Sequence, residues 1–119
     1  MKYLCLVYLE REKWHAIDDR ECADCGTDLR QRGVLVAAEP LHPVESATTV
    51  RIRNGRLSVT DGPFAETKEQ LAGFYLIEAV DLNEAIRLAS RIPPAREGCI
   101  EVRPVRELNL PAQQAPAGR

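Results

Sequence analysis

The stretch Tyr3-Leu4-Cys5-Leu6-Val7-Tyr8-Leu9 is apolar at every position. At the two-residue period of a β-strand, Tyr3, Cys5, Val7 and Leu9 point one way and Leu4, Leu6 and Tyr8 the other. A strand with one wet face alternates apolar and polar residues. This strand therefore asks for cover on both sides, which constrains every fold the chain can adopt. With 119 residues, the chain buries roughly two-thirds of its unfolded surface, enough for one core and one domain.

Composition excludes several classes. Hydrophobic residues at 45% and charged ones at 29% exclude wholesale disorder. A formal charge of −2 argues against a strongly basic nucleic-acid binder. No apolar run approaches the ~20 residues that span a bilayer. The first strand is too short for a signal-peptide core, and Glu10-Arg11-Glu12-Lys13 follows it at once. The expectation is a cytoplasmic protein with neither nucleic acid nor membrane as partner. Four irregularly spaced cysteines read as reduced thiols, not a disulfide framework.

Further elements follow along the chain. Asp18 and Asp19 can cap a helix running to about Arg32, with Gly33 as its stop and Cys22, Cys25, Gly26 and Leu29 as its inward stripe. Residues 34–38 form a second doubly apolar strand, broken off by Pro40 and Pro43. Thr48–Arg53 and Arg56–Thr60 flank Asn54-Gly55, a pair suited to the positive φ angles of a type I′ turn, and predict a hairpin. Val50, Ile52, Leu57 and Val59 fall on its apolar side, Arg51, Arg53 and Arg56 on its polar side. Glu66–Gln70 reads as one helical turn and Leu71–Val80 as a strand. Asp81, with Glu84 three residues on, caps a helix ended by Pro93-Pro94. Cys99–Val105 is the last strand. Residues 1–106 form the domain, and 107–119 a flexible C-terminal tail.

Without the hairpin the order is βαββαβ, an α+β class chain of ferredoxin-like type with an inserted β-hairpin. Two helices cover one sheet face and leave the other apolar and bare. A second copy of the same face is the simplest cover, which predicts a homodimer, a dimeric α+β barrel.

The segment Thr48–Gly55 leads into Val59-Thr60-Asp61-Gly62-Pro63-Phe64-Ala65-Glu66-Thr67-Lys68-Glu69-Gln70-Leu71-Ala72-Gly73-Phe74-Tyr75-Leu76-Ile77. This run resembles the YCII-related proteins, specifically the branch named for its Asp-Gly-Pro-Phe (DGPF) motif. The opening Met1–Tyr8 and closing Ile100–Val105 are similar to that family too, so the likeness covers about residues 1–106. The resemblance implies a dimeric α+β barrel and no settled reaction. Some relatives carry a His–Asp pair proposed as catalytic, and fold neighbours include small lactone isomerases. Members of this branch are associated with extracytoplasmic-function sigma factors. Cys22-Ala23-Asp24-Cys25 departs from the family's first-helix pattern, and His15 sits in no recognisable His–Asp motif.

The candidate chemistry centres on Asp61-Gly62-Pro63-Phe64. Either Asp61 ties nearby backbone N–H groups while Phe64 plugs the core, or Asp61 serves as general base at a pocket mouth. His42, on the rigid Pro40–Pro43 loop, is the candidate proton-transfer partner. Lys68, Glu66 and Glu69 are a solvated cluster or substrate-binding groups, with Lys68 able to hold an anion. Phe64 and the phenol tip of Tyr8 are candidate pocket linings. Cys22 and Cys25 form one CxxC, but no second pair completes a zinc set, so they read as small apolar residues. The inventory suggests a small-molecule enzyme without cofactor or metal, using acid–base residues in a pocket between sheet and hairpin. The alternative is a non-catalytic ligand-sensing or protein-interaction module in sigma-factor signalling.

Overall fold

The computed structural model describes residues 1–111; residues 112–119 lie outside it, and with them most of the expected tail. The elements are β1 (Lys2–Glu10), a 3-10 turn (Arg11–Ala16), α1 (Asp19–Gln31), β2 (Leu35–Pro40), a second 3-10 turn (Val44–Ser46), β3 (Thr48–Arg53), β4 (Arg56–Asp61), β5 (Glu69–Glu78), α2 (Leu82–Ala89), a third 3-10 turn (Pro93–Arg96) and β6 (Cys99–Pro104). Four strands make an antiparallel sheet in the order β2-β5-β1-β6, while β3 and β4 form a separate two-stranded sheet. Leaving out the hairpin, this is the strand order of a ferredoxin-like α+β fold.

The helices form where their caps dictate. Asp18 accepts a hydrogen bond from the Arg20 N–H at 2.9 Å, and Glu21 reaches back to the Asp18 N–H at 3.3 Å, a reciprocal capping box. Asp81 caps α2 by accepting from the Glu84 N–H at 2.9 Å, and Glu84 accepts from the Val80 N–H at 2.8 Å. Both helices pack on one sheet face. There Tyr3, Cys5, Val7 and Leu9 of β1 and Tyr75 and Ile77 of β5 bury themselves with Leu29, Ala85, Ala89 and Ile92. Gly98 allows β6 to begin where it does, because a Cβ there would fall on the Tyr8 carbonyl oxygen.

The opposite face has no cover within the described residues. Leu4, Leu6 and Tyr8 of β1 stand on it, opposite Leu76, Phe74 and Leu71 of β5. All six are half-buried by their neighbours, not buried under another layer. The pairing shifts register between Val7 and Tyr8. Val7 opposes Gly73 and Tyr8 opposes Leu71, so Ala72 is the extra residue of a bulge.

Three local readings need correction. No helical turn forms over Glu66–Gln70: residues 63–68 are irregular and β5 already begins at Glu69. Pairing of Glu69 with Glu10 and of Gln70 with Leu9 gives that backbone ladder bonds that a single polar turn cannot match. Phe64 does not plug the core, being 80% exposed in this chain. The second strand runs on to Pro40, as an edge strand tolerates a proline.

The hairpin turns as its sequence demands, with φ of 53° at Asn54 and 73° at Gly55. Val50 opposes Val59 and Ile52 opposes Leu57 on one face, while Arg51, Arg53 and Arg56 occupy the other. The Gly62 N–H donates to the Ala47 carbonyl at 2.7 Å and the Thr49 hydroxyl donates to the Gly62 carbonyl at 2.8 Å, which clasps the base of the arm.

Candidate functional site

Two hollows share the end of the sheet where β1 runs into the first 3-10 turn. The first is a cavity of about 540 Å³ between α1 and the sheet. Val7, Leu9, Leu35 and Ala38 line it from the strands, and Trp14 and Ile17 from the segment joining β1 to α1. Charged groups enter it at Asp19, Arg30 and Glu39. Its existence traces to small residues: Gly26 and Ala23 face it from α1, and Ala38 and Ala72 from the strands, where larger side chains would fill the space. A Cβ on Gly26 would meet only Leu35 Cδ2, at 4.0 Å, so the glycine leaves room that the helix could have closed.

Trp14 is held in place by its indole N–H, which donates to the Leu9 carbonyl at 3.3 Å. The Arg11 guanidinium lies 5.2 Å from its ring centroid. On the opposite wall the Tyr75 hydroxyl donates to the Cys22 carbonyl at 3.2 Å. Burial pushes the Tyr75 phenol and the Cys22 and Cys25 thiols up, so all three stay protonated at neutral pH. The cavity is thus apolar with neutral polar groups on its wall and charges entering from its periphery, a combination suited to a small ligand with one polar end.

The second hollow, about 520 Å³ and open, is lined by four charged side chains, Glu10, Arg11, Glu12 and Lys68, together with His15. Its best-sheltered carboxylate is Glu10, whose oxygens lie 3.4 Å from Lys68 Nζ and 3.9 Å from Lys13 Nζ.

Of the residues singled out in the sequence, Lys68 enters the charged hollow. Glu69 stands beside it, opposite Glu10 in the ladder, and accepts from the Cys99 thiol at 3.7 Å. Tyr8 lies on the open sheet face between Leu71 and Cys99. Asp61 ends β4 opposite Thr48, His42 is exposed on its loop, and Glu66 and Phe64 are exposed in the segment before β5. None of Asp61, His42, Glu66, Glu69, Phe64 or Tyr8 lines either hollow, and neither hollow lies between sheet and hairpin. Sequence reasoning missed Trp14, Glu10, Asp19, Arg30 and Glu39 as site residues, whereas the phenol of Tyr75, like that of Tyr8, was open to it as a pocket lining. The one available signal was the chain's single tryptophan in an otherwise polar segment. Cys22 and Cys25 are free thiols, and Cys25 donates to the Arg91 carbonyl at 3.6 Å. Among the described residues no group of three His, Cys, Asp or Glu side chains is placed to hold a metal ion, and no helix is long and apolar enough to cross a membrane.

The chain is thus a small α+β protein of ferredoxin-like type with a cavity beneath its first helix. Residues 1–109 match the YCII-related domain, and the chain belongs to that family. A protein of Rhizobium meliloti (strain 1021), itself described as uncharacterised, is 46% identical over 93 residues, covering 74% of this chain and 75% of the relative.

Proposed function

We propose that the protein binds a small, largely apolar molecule with one polar end in the cavity beneath α1, and that it does so as a homodimer in the cytoplasm. The observation that supports this reading is the cavity itself. It is lined by aliphatic side chains and Trp14, and bordered by the protonated, uncharged side chains of Tyr75 and Cys22. Neither of those groups supplies a base or nucleophile at neutral pH, which favours binding over catalysis there. The uncovered row Leu4, Leu6, Tyr8, Leu71, Phe74 and Leu76 supports the homodimer, since a second copy supplies a matching face. The Asp61-Gly62-Pro63-Phe64 run supports placement in the DGPF branch. Together these features support a ligand-sensing module; the link to extracytoplasmic-function sigma factors rests on the resemblance to the DGPF branch.

The test uses Trp14, the only tryptophan. Titration with 1-anilinonaphthalene-8-sulfonate is expected to change Trp14 emission saturably. Gly26→Leu and Ala38→Phe, which fill the cavity, are expected to abolish the response while leaving the far-ultraviolet circular dichroism intact. Equal binding by the filled variants overturns the reading.

A second reading, a cofactor-independent enzyme using acid–base residues, is favoured by the charged hollow. There Glu10 sits 3.4 Å from Lys68, with His15 on the same wall. In this reading Glu10 and His15 move protons and Lys68 holds an anionic group. Asp61 and His42 join it only if a second copy brings them to the hollow. Glu10→Gln is then expected to abolish turnover of any substrate found, with folding retained.

A further inference from the structure

The hairpin is the least supported element of the chain. Val50, Ile52, Leu57 and Val59 form one continuous apolar face, and they are 61%, 65%, 66% and 59% exposed. Apart from the clasp at its base, β3 and β4 hold only each other. An isolated two-stranded ribbon is marginal at best in water. Yet this one has a fully matched six-residue register, a correct turn, and alternation of apolar and polar positions from Thr49 to Thr60. Such a pattern is what a strand pair shows when one face is buried.

We infer that β3–β4 is an arm that lays its Val50–Ile52–Leu57–Val59 face on a second copy of this chain. The inference rests on the homodimer reading above and assigns the hairpin a place in it. Area supports a second copy. A face of four strands, about six residues long, offers roughly 400 Å² of plane from its strand spacings. A standard interface buries about 800 Å² per partner. The arm adds roughly half as much plane again, and Phe64, 80% exposed just beyond its base, extends the apolar surface further.

The face of the arm that docks is itself free of basic side chains: Arg51, Arg53 and Arg56 lie on the opposite side of the ribbon, and Thr48 and Asp61 bound the apolar patch at its base. An apolar surface of that kind fits the apolar sheet face of a second copy. The hairpin also springs from the β2–β5 edge of that face, so the two apolar surfaces are contiguous through the chain.

The experiment is sedimentation velocity over a concentration series, on the wild-type chain, on Val50→Asp/Leu57→Asp in the arm, and on Leu6→Asp in the sheet face. It is paired with photo-crosslinking from p-benzoylphenylalanine placed at position 52, in a mixture of isotopically labelled and unlabelled chains. The wild type is expected to sediment as a dimer. The arm variant is expected to dissociate about 100-fold more readily, with its circular dichroism unchanged, and to melt like the wild type at dilutions where both are monomeric, because the arm packs on nothing in its own chain. Cross-links are expected between labelled and unlabelled copies. An arm variant that dimerises as tightly as the wild type, or cross-links confined to one copy, overturns the arm while leaving a sheet-to-sheet dimer standing. A wild-type monomer overturns both, and loss of dimer from Leu6→Asp alone overturns the arm only.

Discussion

The hydroxyl of Tyr75 donates a hydrogen bond to the main-chain carbonyl of Cys22 at 3.2 Å, tying the centre of the sheet to the second turn of α1. The two residues are 53 positions apart in sequence. Tyr75 belongs to the buried core, and both residues line the apolar cavity. One contact thus sets the distance between helix and sheet and, with it, the height of the hollow.

Removing that hydroxyl has a defined cost. Tyr75→Phe keeps the ring in the core and loses one neutral hydrogen bond, a net loss of about 1 kcal/mol. For a domain of this size that lowers the melting temperature by roughly 4 °C. The same variant is expected to weaken probe binding in the cavity, because α1 is freed to settle into the space. Differential scanning calorimetry and Trp14 fluorescence check the two effects on one sample. A melting temperature equal to wild type contradicts the tie.

Leu29 is the residue of α1 that enters the core most deeply, with no exposed surface. It packs with Cys5, Ile77 and Ala85 in the single buried cluster. Leu29→Ala deletes buried carbons and leaves a void, for a loss of about 2–5 kcal/mol. Urea denaturation is expected to show that loss as a lower midpoint with an unchanged slope.

Gly98→Ala is expected to destabilise the protein severely. A methyl group at Gly98 meets the Tyr8 carbonyl oxygen and carbon and the Leu9 side chain, so β1 or β6 must move apart. Gly26→Ala is the control: its Cβ meets only one side-chain atom, at ordinary distance, and alanine favours the helix by about 1 kcal/mol. Parallel thermal melts should lower the first and preserve or raise the second. Equal melts for both variants contradict the packing at Gly98.

The sequence reveals much of this architecture where local chemistry and burial agree. The doubly apolar run Tyr3–Leu9 announces a strand that asks for cover on both faces; it forms β1, one of the two inner strands of the sheet, with the helices over one face. Asp18 and Asp81 announce both helix starts, and Asn54-Gly55 announces the hairpin, each because a cap or turn is written in a few adjacent residues. The candidate site is much less visible. Its cavity is made by absences, at Gly26, Ala38 and Ala72, which a linear reading takes for ordinary small residues. Tyr75 and Cys22 meet only through the fold. The polar cluster Glu66–Gln70 misleads because its helical propensity is outcompeted by a sheet partner, Glu10, some sixty residues upstream. Asp61 and His42 draw attention as chemistry, yet the fold leaves both outside the two hollows.

The exposed pair Glu21–Arg96 gives a prediction in acid. Two hydrogen bonds of 2.9 Å join the Glu21 carboxylate to the Arg96 guanidinium, linking the start of α1 to the third 3-10 turn. Arg96 and then the Asp18 N–H hold the Glu21 carboxyl below its ordinary value. A depressed folded value means that this contribution is present above the unfolded carboxylate range, near 4.5, and is lost as pH falls through the folded value. Both side chains are solvated, so the effect is small. Glu21→Gln is expected to lower the melting temperature slightly at pH 7 and to match the wild type in strong acid; a constant difference across the pH range contradicts the assignment.

Alkaline pH acts in the opposite sense and through the core. Burial pushes the Cys5 thiol from 9.0 up to about 11, and the Cys22, Cys25 and Tyr75 protons are held more tightly for the same reason. Below pH 9 Cys5 is a thiol in both folded and unfolded chains, so its contribution is fully present. Between about pH 9 and 11 the unfolded chain ionises first, and stability falls with rising pH. The Cys5 share of that loss is about 2 kcal/mol. Cys5→Val keeps an apolar side chain of similar volume and removes the ionisation. Urea midpoints of both chains at pH 8 and pH 10.5 check this, the variant being expected to show the shallower decline. Equal declines would locate the alkaline loss in Tyr75 and the α1 thiols instead of Cys5.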